Sequence, residues 1–528
     1  MFLHRFLLPA LLITCARPSW SSANEPFDIL LKNGTIIDGS GSEPYHGHVA
    51  ITGDRIVAVG NLDKRQAKKT IDCTGLVICP GFIDLHNHSD HSILTPETRD
   101  ARCYLTQGCT TLVTGNCGGG RADVKKFYDE LALGGVGINI AHLAPHGSIR
   151  DLVMGKVRRA PTADELKKMQ HLTDAAMRDG AWGMSTGLQY VPGSYADTDE
   201  LVAVASIVSK HGGIYASHIR DEGDELLESI NEVLEIARRA NLRCHVSHLK
   251  SSKPRNWGKI RAATNLIEAA RRDGLRITAD QYPYTASSTS IMAMLLPDEE
   301  REGGEAQTAE RLDDPDELAR IRPIVAEALA ARGQLMIASF SKKPNWVGRL
   351  ISDIAKMENR EPVEIGLELL SDSKAQGVNF GMDEADVRFA MTLPWVATAS
   401  DGSAKVDDGT RPHPRSYGTF PRKIGRYAIQ ENVLPLPAAI RSATGLAADI
   451  LGMNDRGYLR PDLIADVVVF DPKQLQDQAT YEKPFETSTG VRWLIVNGQL
   501  AISDGALRPA LAGRPLRRNA EQVAATTE

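Results

Sequence analysis

Between residues 80 and 449 the chain alternates short apolar runs with longer stretches whose apolar positions recur at helical spacing. Val77–Leu85, Thr111–Asn116, Gly213–Ser217, Cys244–Ser247 and Trp395–Ser400 read as strands, whereas Leu226–Ala240 and Asn265–Arg272 read as amphipathic helices. Strand and helix in alternation predict a parallel sheet. Repeated over this length, they predict an α/β fold of (β/α)8, TIM-like type. One stretch breaks the rhythm. Residues 298–333 are charged and helix-favouring, as in Glu299-Glu300-Arg301-Glu302, and predict a subdomain inserted at the barrel mouth near 290–340.

The two ends of the chain follow another pattern. Ile29–Gly39 predicts two short strands around an Asn33-Gly34 turn, and Val49–Gly60 repeats the motif. The same texture returns in Ala465–Phe470 and Trp493–Gly498. Neither end has enough strands to be stable alone. A small β-sandwich built from 24–79 plus 450–518 is therefore expected, with the barrel, 80–449, inserted between its halves. Asn519–Glu528 is expected to fray.

Composition changes this picture little. Over 528 residues, 42% hydrophobic and 24% charged content leaves ample material for a core. The net charge of −6 and the lack of a long basic run argue against nucleic acid or an anionic membrane as partner. The N-terminus stands apart. His4 and Arg5 precede the apolar stretch Phe6–Ile13, and Ser21-Ser22-Ala23 supplies small residues for cleavage. This is signal-peptide grammar over 1–23 and predicts export to the periplasm or the exterior. Leu12-Ile13-Thr14-Cys15 loosely resembles a lipid-attachment box, so a lipoprotein is the alternative. No later stretch is long and apolar enough to span a membrane. Of the cysteines beyond the leader, Cys73, Cys79, Cys103, Cys109 and Cys244 read as buried free thiols.

Metal-ligand residue types fall where the predicted strands stop. His86 and His88 end one strand and, two apart, share a face. Cys117 ends the next and is followed by three glycines, which allow close approach of backbone to a site. His218 and His248 each follow a strand and a serine, about one βα unit apart. His245 points to the opposite face and reads as structural. Asp401 closes the last strand, placed as a proton shuttle. Imidazole, thiolate and carboxylate together suit zinc. Arg415, held rigidly by Pro412-His413-Pro414 before it, suits bidentate binding of a carboxylate, and Lys250 is a second candidate anion contact. A barrel builds its active site at this end of its strands, so a metal-dependent hydrolase of a small molecule is expected.

In these residues the chain resembles the N-acyl-D-amino-acid deacylases (D-aminoacylases) of the amidohydrolase superfamily. The matching pieces are Pro80–Asp90, Gly115–Gly118, Ser217–Glu222, Ser247–Lys250, Tyr282–Ala286, Ser400–Gly402, His413–Arg415, Gly418–Arg422, Val496–Gly498 and Gly513–Arg518. The resemblance implies a tightly bound zinc on Cys117, His218 and His248. It implies a second, weaker metal position framed by His86, His88, Cys117 and Asp401, with Asp401 as catalytic acid/base. Lys250, Tyr282, Ser288 and Arg415 would receive the substrate carboxylate. Two stretches depart from the family pattern: 402–410 is more charged, and 287–340 matches poorly, which leaves substrate preference open. Hydrolysis of a cyclic amide, as by hydantoinases and dihydroorotases, is the nearest alternative; a non-catalytic exported binding protein is the other. Those cyclic-amide enzymes usually bridge two metals with a carboxylated lysine, where this chain offers Cys117.

Overall fold

The computed structural model describes residues 26–518. The expected leader, with Cys15, and the expected frayed tail lie outside the described residues.

The N-terminal part is a set of strands: β1 (Phe27–Ile36), β2 (Tyr45–Thr52), β3 (Arg55–Gly60), β4 (Ala67–Asp72) and β5 (Val77–Pro80). Asn33-Gly34 is not the expected turn. β1 runs through it as one strand, and the register against β2 shifts between Leu31 and Gly34, with Asn33 at φ 62°. The dipeptide is thus a bulge, which bends the strand. Its first half pairs with β4 and its second half with β5.

Gly81 hands the chain directly from β5 to the barrel. Its strands are β6 (Phe82–Asp84), β7 (Cys109–Thr114), β8 (Asn139–His142) with its continuation β9 (Ala144–Pro145), β10 (Gly183–Gly187), β11 (Ile214–His218), β12 (Arg243–Val246) and β13 (Ile277–Gln281). An insertion follows, carrying β14 (Ser287–Ser290), β15 (Gln334–Ser339) and β16 (Gln376–Phe380); β17 (Val396–Thr398) then completes the barrel. Neighbouring barrel strands pair in parallel. β17 returns to β6 just beyond both strand ends: Asp401 N–H donates to His86 O and His88 N–H to Gly402 O, each at 2.8 Å. The α/β barrel read from the sequence is therefore present.

The insertion spans 287–380, not 290–340. Its strands form an antiparallel sheet in the order β14-β16-β15, covered by helices such as Pro315–Ala331 and Pro362–Leu369. Ile291, Leu295, Val325, Ile337, Trp346 and Ile365 give it a core of its own. The 298–333 stretch is helical, as its composition predicts. The flanking strands escaped notice because a short apolar run looks alike whether it joins a barrel or a separate sheet.

The C-terminal strands are β18 (Val467–Phe470), β19 (Val491–Val496), β20 (Gln499–Ser503) and β21 (Ala506–Leu507). β18 pairs antiparallel with β5, so the two ends of the chain make one nine-stranded sheet. Ile29, Leu31, Ile51, Ile78, Val467 and Val469 form its core. Beyond Leu507 the chain leaves this sheet. Leu516 N–H donates to Ile140 O at 2.7 Å, and Leu516 O accepts from the Trp182 indole at 2.7 Å, so the tail lies against the barrel. Among the described residues no helix is long and apolar enough to cross a membrane.

Candidate metal centre

Each expected ligand stands at the C-terminal end of a barrel strand. His86 and His88 follow β6, Cys117 follows β7, His218 ends β11, His248 follows β12 and Asp401 follows β17. Cys117, His248 and Asp401 adopt positive φ of 52°, 35° and 51°. Side chains other than glycine avoid this region, so the fold holds these three against a local preference, as is common at functional sites. The Cys117 loop is anchored from the His88 side: Asp90 Oδ1 accepts from Gly115 N–H at 2.6 Å.

The six side chains converge. Cys117 Sγ lies 3.6 Å from His218 Nδ1, 3.6 Å from His248 Nε2 and 3.2 Å from His86 Nε2. Asp401 Oδ1 lies 3.1 Å from His88 Nε2 and 3.5 Å from His86 Nε2. Two donors each 2.0–2.3 Å from a tetrahedral ion stand about 3.3–3.7 Å apart. The spacings of Cys117 with His218 and His248 match that, and the thiolate–imidazole–carboxylate set suits zinc. His86, Cys117 and His248, then His86, His88 and Asp401, and then His218, Glu222 and His248 form groups whose ligand atoms lie within 4.8 Å of one another.

Residues that sequence reasoning passed over orient these ligands. Gln189 Oε1 accepts from His218 Nε2–H at 2.9 Å, which leaves Nδ1 free to face Cys117. Glu222 Oε1, 2.8 Å from His248 Nδ1, does the same for Nε2 of that ring. Asp280 Oδ1 accepts from His248 N–H at 2.7 Å, while its Oδ2 accepts from His245 at 2.8 Å and faces His86 Nδ1 at 3.5 Å. His245 is thus a structural partner of Asp280. Asp280 lies in strand β13, Ile277–Gln281, where an acid among strand residues is the available signal, and Glu222 lies in the loop after His218.

The electrostatics favour the ligand forms. Burial opposes ionisation of Cys117, but the His86 charge and hydrogen bonds from His218, His248 and His86 outweigh it and hold the thiol well below its usual range. By contrast, burial pushes Cys73 and Cys103 up to about 12, and both are free thiols, as are Cys79, Cys109 and Cys244. Burial would also raise Asp401; Arg415 first, then His248 and His88, hold it well below the usual carboxylate range.

The expected carboxylate receivers are distributed around this centre. Arg415 Nη1 contacts Asp401 Oδ2 at 2.7 Å, its Nη2 donates to Ser288 O at 3.2 Å, and its guanidinium lies 4.9 Å over the Tyr282 ring. Ser288 Oγ donates to Gly377 O at 2.8 Å. Lys250 also reaches the site: its ammonium pairs with Glu222, lies 2.7 Å from His248 Nδ1 and lines the cavity beside the metal residues. An open cavity of about 690 Å³ leads to the metal residues past Tyr190, Lys405 and Arg415.

Residues 69–502 match the amidohydrolase family. The chain is 35% identical over 524 residues to the D-aminoacylase of Alcaligenes xylosoxydans xylosoxydans, covering 94% of this chain and 99% of that one. It is similar to a solved structure of D-aminoacylase whose binuclear metal centre is described as activated by one metal and attenuated by a second (TM-score 0.80, 33% identity, 93% of this chain and 100% of that one). It is equally similar to the crystal structure of N-acyl-D-glutamate deacylase from Bordetella bronchiseptica with zinc and a phosphonate mimic of the tetrahedral intermediate (TM-score 0.80, 32% identity, 93% and 100%).

Proposed function

Because this chain belongs to the amidohydrolase family, in its D-aminoacylase branch, we propose that it hydrolyses the amide bond of N-acyl-D-amino acids to a D-amino acid and a carboxylate. The observation that carries this reading is the meeting of Cys117 with His218 and His248 beside the buried Asp401.

Zinc held by Cys117, His218 and His248 would supply a water of near-neutral pKa and a Lewis acid for the amide carbonyl. Asp401 is placed to accept a proton from the attacking water and to deliver it to the leaving nitrogen, which would depart poorly unprotonated. Arg415, with Ser288 and Tyr282 beside it, receives the substrate α-carboxylate and fixes the amide over Asp401. Lys250 acts through Glu222 and His248. His86, His88, Cys117 and Asp401 frame a weaker second metal position. An ion held there would occupy the Asp401 carboxylate that the proton transfer needs, so filling that position would be expected to slow turnover.

The cyclic-amide reading requires a lysine bridging two metals; here Cys117 meets His86, His218 and His248, and Lys250 pairs with Glu222. The leader grammar of 1–23 supports an exported enzyme. The test is a panel of N-acyl-D- and N-acyl-L-amino acids beside a hydantoin, with zinc measured on the same sample. Turnover of the D-series with bound zinc is expected; hydantoin turnover alone would overturn the reading.

A further inference from the structure

A narrow cavity of about 120 Å³ adjoins the metal centre on the side of the insertion. It is lined by His218, His248 and Asp401 of the metal centre and by Ser288, Asn379 and Arg332. Arg332 also borders a wider cavity of about 600 Å³ along the seam between insertion and barrel, so it stands where the two meet.

Arg332 differs from every other cation there. Glu222 holds Lys250. Asp224 holds both Lys253 and Arg255. Glu232 holds Arg220, and Arg301 donates to Gln189 O at 2.8 Å. Arg332 makes no hydrogen bond or ion pair among the described residues, and its Nε is shut off from solvent without a partner. The charge it feels is that of Asp221, whose Oδ1 already accepts from Gly223 and Glu225 N–H. Burial without a partner pushes its guanidinium down to about 10. Asn379, 3% exposed, has an unpartnered Oδ1 on the same cavity, and its carboxamide can turn either end inward.

A half-buried guanidinium whose Nε is shut off from solvent without a partner is costly to keep unless something binds it. Its planar fork matches a carboxylate. The α-carboxylate is already assigned to Arg415, which lines the larger cavity and not this one. Resting on the deacylase reading above, we propose that Arg332, with Asn379, is a specificity-determining pair that receives a second carboxylate, on the substrate side chain, so that the preferred substrates are N-acyl-D-amino acids with acidic side chains. Met294 on the same cavity offers apolar surface to the side-chain methylenes.

The test uses the zinc-loaded full chain and its Arg332→Met variant. Each is assayed on N-acetyl-D-glutamate, its neutral isostere N-acetyl-D-glutamine, and N-acetyl-D-leucine; calorimetry compares binding of D-glutamate and D-glutamine. The natural protein should favour glutamate over glutamine by about tenfold or more in kcat/KM and in binding, the scale of one charge-assisted hydrogen bond. Arg332→Met should bring both ratios near one and cut glutamate turnover at least about tenfold more than leucine turnover. Equal use of glutamate and glutamine by the natural protein overturns the proposal. So does an equal loss on all three substrates in the variant, which indicates a structural or α-carboxylate role. If no N-acyl-D-amino acid is turned over, the deacylase reading fails, and the two binding ratios still decide the role of Arg332.

Discussion

Arg415 Nη1 sits 2.7 Å from Asp401 Oδ2, so the residue assigned to the substrate carboxylate is also the main counter-charge of the residue assigned to the proton. When a substrate carboxylate takes up Arg415, Asp401 loses part of what holds its proton affinity down and becomes a better base. Substrate binding and base activation are thus coupled through one contact. Arg415→Met removes the coupling. KM should rise by about tenfold or more. The Asp401 carboxyl, released from depression, should ionise at higher pH, so the acidic limb of kcat/KM moves upward. A pH–rate profile checks this; an unmoved limb with unchanged KM removes Arg415 from the site.

Asp401→Asn keeps the shape of the side chain and removes its basicity. Turnover should fall by about a thousandfold or more. The zinc on Cys117, His218 and His248 should stay bound, because Asp401 pairs with the other ligand group, His86 and His88. Steady-state rates with metal analysis on the same preparation decide it. Normal activity in this variant would dismiss Asp401 as the acid/base.

Gln189→Leu tests an orienting residue. Without the 2.9 Å hydrogen bond from His218 Nε2, that imidazole is free to turn or change tautomer. Zinc affinity should drop by about 10–100-fold, read by competition with a chelator, while the thermal unfolding of the metal-free protein stays close to that of the natural chain.

Lys423 predicts a pH effect on stability remote from the chemistry. It is 1% exposed, its Nζ has no hydrogen-bond partner, and burial alone pushes its ammonium down to about 7. An unfolded lysine titrates near about 10.4. The folded value is depressed, so the unfolded chain binds this proton first as pH falls below 10.4, and native stability drops until the folded group protonates near 7. Lys423→Met should therefore stabilise the protein, on the order of 2–4 kcal/mol at pH 7, and by less at pH 9. Denaturant unfolding at both pH values checks it; a larger gain at pH 9 contradicts the sign.

The barrel and the ligand set could be read from the chain because both are local patterns. A strand, then a ligand or a small residue and a ligand, recurs at His86, Cys117, His218, His248 and Asp401, and strand-end placement is enough to bring them together. What escaped depends on partners far along the chain. Asn33-Gly34 carries a hairpin signal, yet β4 and β5 pair with one unbroken β1 and make it a bulge. The strands at 334–339 and 376–380 resemble barrel strands until their antiparallel pairing is seen. Lys250 is positioned like an anion contact, and only its meeting with Glu222 reveals it as paired. Asp280 and Gln189 look like ordinary polar residues until the imidazoles they steer are in place.

The most direct measurement counts zinc per chain after exhaustive dialysis, for the natural protein and for Cys117→Ala, alongside turnover of an N-acetyl-D-amino acid and its L-enantiomer. The expected result is one retained zinc with hydrolysis confined to the D-substrate, and loss of both when the sulfur is removed. A Cys117→Ala protein that keeps its zinc and its activity would contradict the claim that Cys117, His218 and His248 together hold the ion that hydrolysis needs.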